Sequence, residues 1–280
     1  MTTDLALFLE TCRSMQVDCA TLDVTNSAFV LQFGAYRHLI ANRTFGLNSD
    51  IQATFCRDKF YHYQLLHSIV SMPTTIAYFD PQSPLIPLRK FATLHSYGAI
   101  VSDIVSNFDL PVIVKKNQGS KGEAVYLCHH QKEITTAVES VFNQQRYFYD
   151  YMVLAQSYIS HKSEYRVIWF DGKVRFAYMK DISTATCEGN LSPLHWNGAR
   201  SVLVTDSVLL RKFTDLMGKI QTVLPITYCG ADFVMNTSGD LCLLELNHAP
   251  GFDEYLKTAS DQPLRELYTA IITYLMNRVV

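Results

Sequence analysis

The sequence predicts an α+β protein of mostly antiparallel strands covered by helices, and three patterns carry that prediction. Asp171-Gly172 sits between two apolar-rich segments, 165–170 and 173–179, which is the two-residue signal of a tight hairpin. A second hairpin pattern fills residues 229–247, with its turn centred on Ser238-Gly239. Two long segments repeat apolar residues at helical spacing: Leu209, Phe213, Leu216, Met217, Ile220 and Leu224, then Leu264, Leu267, Tyr268, Ile271, Ile272 and Leu275 behind Asp261 and Pro263.

Taken in order, residues 1–58 read as a short N-terminal α/β region: a helix over 4–15, strands near 20–24 and 29–33, and Gly34 as a break, with no GxGxxG. Asp58 makes a helix N-cap ahead of Phe60, Tyr63, Leu66 and Val70, and Pro73 stops that helix. A strand at 74–79, a loop bearing Pro81, Pro84 and Pro87, and a helical stretch at 88–107 complete a connecting region over 59–108. Residues 109–159 form a small lobe: strand, glycine-bearing loop 117–122, strand, helix, then a Tyr-rich strand ending at Ile159. The C-terminal lobe spans 160–280.

Composition narrows the function. With 280 residues, 48% hydrophobic and 18% charged, the chain has enough apolar content for a packed core. Lys+Arg number 24 against 26 Asp+Glu, so nucleic acid is not an expected partner. No run of about 18 uncharged apolar residues occurs and the start carries Asp4 and Glu10, so neither a membrane span nor a secretory signal is expected. Seven scattered cysteines without a CxxC pair fit free thiols in a reducing cytoplasm.

The segment CGADFVMNTSGDLCLLELNHAPGF, 229–252, carries the chemistry. Its turn sets Asp232 directly opposite Glu245, with Asn247 two residues along on the same side. Opposed Cβ atoms lie about 5 Å apart, so two carboxylates there repel unless a cation intervenes. Hard oxygen donors of this kind suit Mg2+, which keeps waters and shares its shell with phosphates. Ala231, Phe233, Met235, Cys242, Leu244 and Leu246 alternate with them and are expected to face the core. In PVIVKKNQGSKG, the glycines Gly119 and Gly122 free backbone N–H groups for an anion, and Lys115 ends the strand that feeds the loop. It is not GxxxxGK[ST], because the loop returns into a strand.

Together, Lys59, the strand–loop PVIVKKNQGSKG, the strand VLAQSYI (153–159), Glu164 and the Asp232…Glu245-x-Asn247 set with its PGF resemble the ATP-grasp superfamily. The likeness covers roughly residues 50–260 and is nearest to RimK-like, amino-acid and peptide ligases, related to D-alanine–D-alanine ligase. The resemblance implies two α+β lobes gripping ATP. It places Lys59, Lys115 and Lys180 on the phosphates, and Gly119, Ser120 and Gly122 in the loop above them. It gives Gln156, Ser157, Tyr158 and Ile159 the adenine hinge, Glu164 the ribose, and Asp232, Glu245 and Asn247 the Mg2+, with Mn2+ as the alternative ion. Arg166 matches a basic residue of RimK-like proteins. Gly230 stands where D-alanine–D-alanine ligases carry an arginine, which argues against that substrate class.

The implied activity is ADP-forming carboxylate–amine (or thiol) ligation through an acyl phosphate. Its partners would be small-molecule carboxylates and amines or a peptide, with a homodimer admitted. The competing readings are a small-molecule kinase of the same fold, such as an inositol-phosphate kinase, and a non-catalytic ATP-binding protein. His195 and Trp196 are candidates near the acceptor, Arg200 reads first as a solvated loop arginine with a substrate carboxylate as the alternative, and His161, His248 and Asp253 neighbour the expected site.

Overall fold

The computed structural model describes residues 2–119, 122–186 and 191–278. Twelve strands form three sheets, and every pairing among the described residues is antiparallel.

The N-terminal region opens with α1 (Thr3–Ser14), followed by a meander of β1 (Asp18–Thr21), β2 (Ala28–Phe33) and β3 (Tyr36–Ala41). Strand β3 has no counterpart among the sequence expectations. Its Leu39 is 65% exposed, so the segment lacks a clean two-residue apolar period. Helix α2 (Asp50–Arg57) is likewise new; only Cys56 is buried in it, and its start is fixed by a Ser49–Gln52 capping box. Asp58 then caps α3 (Lys59–Leu66) by accepting from Tyr61 N at 2.9 Å. This helix ends before Val70, which is buried outside it.

The small sheet has the order β4 (Thr75–Phe79), β7 (Met152–Ser157), β5 (Val112–Lys116), β6 (Val125–Cys128). The stretch expected as one helix over 88–107 divides into a 3-10 turn (Ile86–Phe91) and α4 (Tyr97–Asn107), because Ser96 caps the second by accepting from Ala99 N. Helix α4 packs beside α5 (Gln131–Val141), and both cover the apolar face of this sheet through Ile100, Ile104, Ile134 and Val138. Tyr147, Tyr149 and Tyr151 precede β7 in turns; Tyr149 donates to Asp80 and Ser83, whereas Tyr147 is 90% exposed.

The large sheet has the order β10 (Arg200–Leu203), β9 (Lys173–Asp181), β8 (His161–Phe170), β11 (Tyr228–Asn236), β12 (Leu241–Asn247). Strand alternation gives its two faces different duties. Tyr165, Val167, Trp169, Ala177, Ala231 and Phe233 point into a core closed by α2, α3 and α6 (Ser207–Val223). On the other face, Ile168, Phe170, Phe176 and Tyr228 pack under α1, the β1–β3 meander and α8 (Gln262–Asn277). The N-terminal region and the last helix therefore share one core. All six apolar residues expected for α8 are buried. No described helix is long and apolar enough to cross a membrane.

Candidate active site

One face of the large sheet continues past its helical cover into a cleft facing the small sheet. Register builds the site there: Tyr178 pairs with Arg166, Arg166 with Asp232, and Asp232 with Glu245. Four strands thus place one transverse row of polar side chains on a single face. Glu164 pairs with Val234 in the next row, and Lys180 reaches it from β9. The expected Asp232–Glu245 pairing is observed.

The apolar side of this hairpin departs from the expectation. A β-bulge shifts the register beyond Asp232, so Phe233 pairs with Leu243 and Leu244 is the extra residue. Leu243, Leu246, Ala231 and Phe233 enter the core, whereas Leu244 lines the cleft and Cys242 pairs with the cleft-lining Val234. The bulge gives the cleft an apolar wall that strict alternation denies it, opposite Ile113, Val125 and Leu127 of the small sheet.

The charges of the row neutralise one another. Arg166 grips Asp232 in a bidentate pair, Nε to Oδ1 at 2.9 Å and Nη2 to Oδ2 at 2.6 Å. Lys180 lies 3.0 Å from Asp232 Oδ1 and also bonds Glu164. Burial alone would raise the Asp232 pKa, but Arg166 and Lys180 outweigh it and hold the carboxyl below its usual range. Burial would likewise depress Lys180, yet Asp232 and Glu164 hold its pKa above the ordinary lysine value. Asn247 Nδ2 lies 3.0 Å from Asp232 and 3.3 Å from Glu245, so the three oxygen-bearing side chains do converge.

The small lobe and α3 supply the opposing cations. Lys59 projects from the first turn of α3, donates to Gly119 O at 2.8 Å and lies 3.6 Å from Glu245. Lys115 on β5 donates to Gln156 Oε1 at 2.8 Å, and Gln156 Nε2 donates to Thr75. Burial, with Lys59 nearby, pushes Lys115 down to about 8 despite the pull of Glu245. Asn117 ties the loop to the α3 cap, since its Nδ2 donates to Asp58 at 2.6 Å and its Oδ1 accepts from Phe60 N. Gly119 has a φ of +154°, a backbone conformation L side chains rarely adopt, and a Cβ there would also push aside the flexible end of Lys116.

The polar row and the opposing lysines border one cavity of about 700 Å3. Of the residues expected at the site, Lys59, Lys115, Gly119, Gly122, Gln156, Ser157, Tyr158, Ile159, Glu164, Arg166, Lys180, Asp232, Glu245 and Asn247 all line it. Ser120 lies outside the described residues. Arg200 instead pairs with Asp181 at 3.1 Å, with about half its side chain exposed. His195, Trp196 and Asp253 border the cavity, as does Arg43, which sequence reasoning missed for want of any local motif.

The donor set fits a hard divalent cation. Asp232 and Glu245 supply the carboxylate oxygens, and the Asn247 amide, whose Nδ2 here donates to both, would have to turn its Oδ1 toward the ion to join them; such oxygen donors suit a hard divalent cation. Asp232 is already shared between Arg166 and Lys180, whereas Glu245 has only Lys59 at 3.6 Å and the Asn247 amide beside it, so Glu245 is the more available ligand.

Two antiparallel sheets facing each other across a lysine-lined cleft define the class as ATP-grasp. Similar solved structures are the ATP-grasp ligase PsnB with its minimal precursor (TM-score 0.52, 16% identity, 81% of this chain and 63% of that one) and the VanG D-Ala:D-Ser ligase of Enterococcus faecalis (TM-score 0.55, 15% identity, 79% and 62%). The RimK-like ATP-grasp domain model matches residues 56–268, and the chain belongs to that family. Among curated relatives, human beta-citrylglutamate synthase B is 23% identical over 73% of this chain and 47% of its own length. A probable alpha-L-glutamate ligase 2 from Pseudoalteromonas atlantica is 24% identical over 82% of this chain and 67% of its own. The chain spans about half the length of the synthase it matches.

Proposed function

We propose that the protein is an ATP-dependent carboxylate–amine ligase working through an acyl phosphate with a divalent cation. The observation that carries this reading is the transverse row Arg166–Asp232–Glu245, set across one cleft from Lys59 and Lys115. A carboxylate attacking the γ-phosphate of ATP gives an acyl phosphate and ADP, and an amine then displaces phosphate. The first step demands positioning and charge neutralisation more than covalent work by the protein. Lys59, Lys115 and Lys180 hold the phosphates, Gln156–Ile159 receive the adenine between the apolar walls, and Glu164 takes the ribose. Arg166 holds the Asp232 carboxylate in place through its bidentate pair. Asp232, Glu245 and Asn247 hold Mg2+, which when bound supplies neutralisation of the phosphate oxygens.

The acceptor is an amino acid or peptide. The names of the curated relatives contain glutamate, which makes L-glutamate the first amine to test. The test is a screen of acids and amines for substrate-dependent ADP release, with mass spectrometry of the product. A condensed product lighter than its parts by one water supports ligation. Phosphate transferred to a hydroxyl compound, or ATP binding with no turnover across the panel, overturns it.

A further inference from the structure

The cavity is also walled by Arg43, residues 191–196, and Asp253, Glu254 and Tyr255 of α7 (Asp253–Leu256). Arg43 lies outside the matched residues 56–268. Its Nε donates to Asp4 Oδ2 at 2.5 Å, and its Nη2 donates to Asp4 Oδ1 at 3.1 Å and to Asp253 Oδ2 at 2.5 Å. Asp4 is fully buried and also accepts from Phe252 N at 3.0 Å, while Asp4 N donates to Asp253 Oδ1 at 3.3 Å. The backbone crosses this guanidinium so closely that a Cβ on residue 251 would lie 3.0 Å from Arg43 Nε, and residue 251 is glycine. The Asp253 carboxylate is thereby held against the cavity from two sides, with 32% of its side chain still open.

Charge separates the two walls. The nucleotide wall carries Lys59, Lys115, Lys116, Lys180 and Arg166 against Glu123, Glu164, Asp232 and Glu245. Around Arg43 the single guanidinium is shared between two carboxylates, Asp4 behind it and Asp253 on the wall, while Glu254 on the same wall is paired with Lys257 at 2.7 Å. One wall suits polyphosphate and the other suits a cation. An amine nucleophile arrives from water as an ammonium, and a fixed carboxylate with free lone pairs gives it a charge-assisted hydrogen bond. The geometry points to Asp253 as the residue that receives the acceptor's ammonium, with Arg43 as the positioning residue that aims it. This inference rests on the ligase reading and adds the group that selects the acceptor.

The test measures binding by calorimetry to the full chain with Mg2+ and a non-hydrolysable ATP analogue, using pairs that differ by the amine: L-alanine with propionate, and L-glutamate with glutarate. The wild type should bind the amine-bearing member of at least one pair about tenfold or more tightly over its partner. Asp253→Asn should remove most of that preference and leave analogue affinity within about twofold. Arg43→Lys keeps the charge but cannot span Asp4 and Asp253 together, and should lose about fivefold of the preference. Should Arg43→Lys fail to fold, the more exposed Asp253→Asn still decides. A preference that survives Asp253→Asn, or no preference in the wild type, overturns the inference. Failure of the ligase reading shows separately, as a wild type that binds the ATP analogue but, given ATP, forms no condensed product across the panel of acids and amines.

Discussion

At the end of the cleft that carries the lysines, every charged group except Glu123 stands on a strand or on the first turn of a helix, and most of their neighbours follow from register. At the far end, Arg43, His195 and Asp253 come from a loop, a 3-10 turn and a four-residue helix, gathered from three distant parts of the chain. Strands give a rigid frame suited to ATP, whose geometry does not vary, while loops on that frame tolerate exchange. On the proposed reading, one wall serves a fixed substrate and the other a choice of acceptor.

Four substitutions test that contrast. The largest effect is expected for Glu245→Gln, which removes the available metal ligand: ADP formation should fall at least about a hundredfold, the scale of about 3 kcal/mol lost with one electrostatic stabiliser. Circular dichroism should stay unchanged. Asp232→Asn differs because it leaves Arg166 a buried cation without its carboxylate, while Lys180 keeps Glu164. Breaking a buried pair costs about 3–5 kcal/mol, so urea unfolding should shift by that order along with the loss of turnover. If Asp232→Asn is as stable as Glu245→Gln, the row is not the rigid frame described.

A smaller effect concerns Lys115. With its pKa depressed to about 8, the ammonium is present below that pH and lost above it. Affinity for an ATP analogue should therefore decline as pH rises from 7 to 9.5, and Lys115→Arg should flatten the decline. The reverse slope would refute a phosphate contact. Smallest is Arg200→Ala, whose half-exposed pair with Asp181 lies off the cavity; stability should change by less than about 1 kcal/mol, with turnover unaffected.

The sequence made the strand-borne wall legible because a hairpin turn and a two-residue period suffice to place Asp232 against Glu245 and to gather Asn247 beside them. It did not disclose the bulge at Leu244, since an extra residue in a run of leucines leaves no mark on the apolar pattern. Helix α2 was hidden by its shortness and its single buried residue; the Ser49–Gln52 capping box was the signal that could have found it. Likewise Ser96 marked the start of α4 inside what reads as one long helical stretch. Arg43 was beyond reach, because its role depends on partners 39 and 210 residues away.

The core shared by α1, the β1–β3 meander and α8 has a practical consequence for anyone dissecting the molecule. A fragment trimmed to residues 56–268 would keep Lys59, Lys115 and Lys180 yet bare Ile168, Phe170, Phe176 and Tyr228 to water and cut α8 short. Such a fragment should precipitate when expressed alone, so the smallest workable unit for biochemistry is wider than the conserved module it contains.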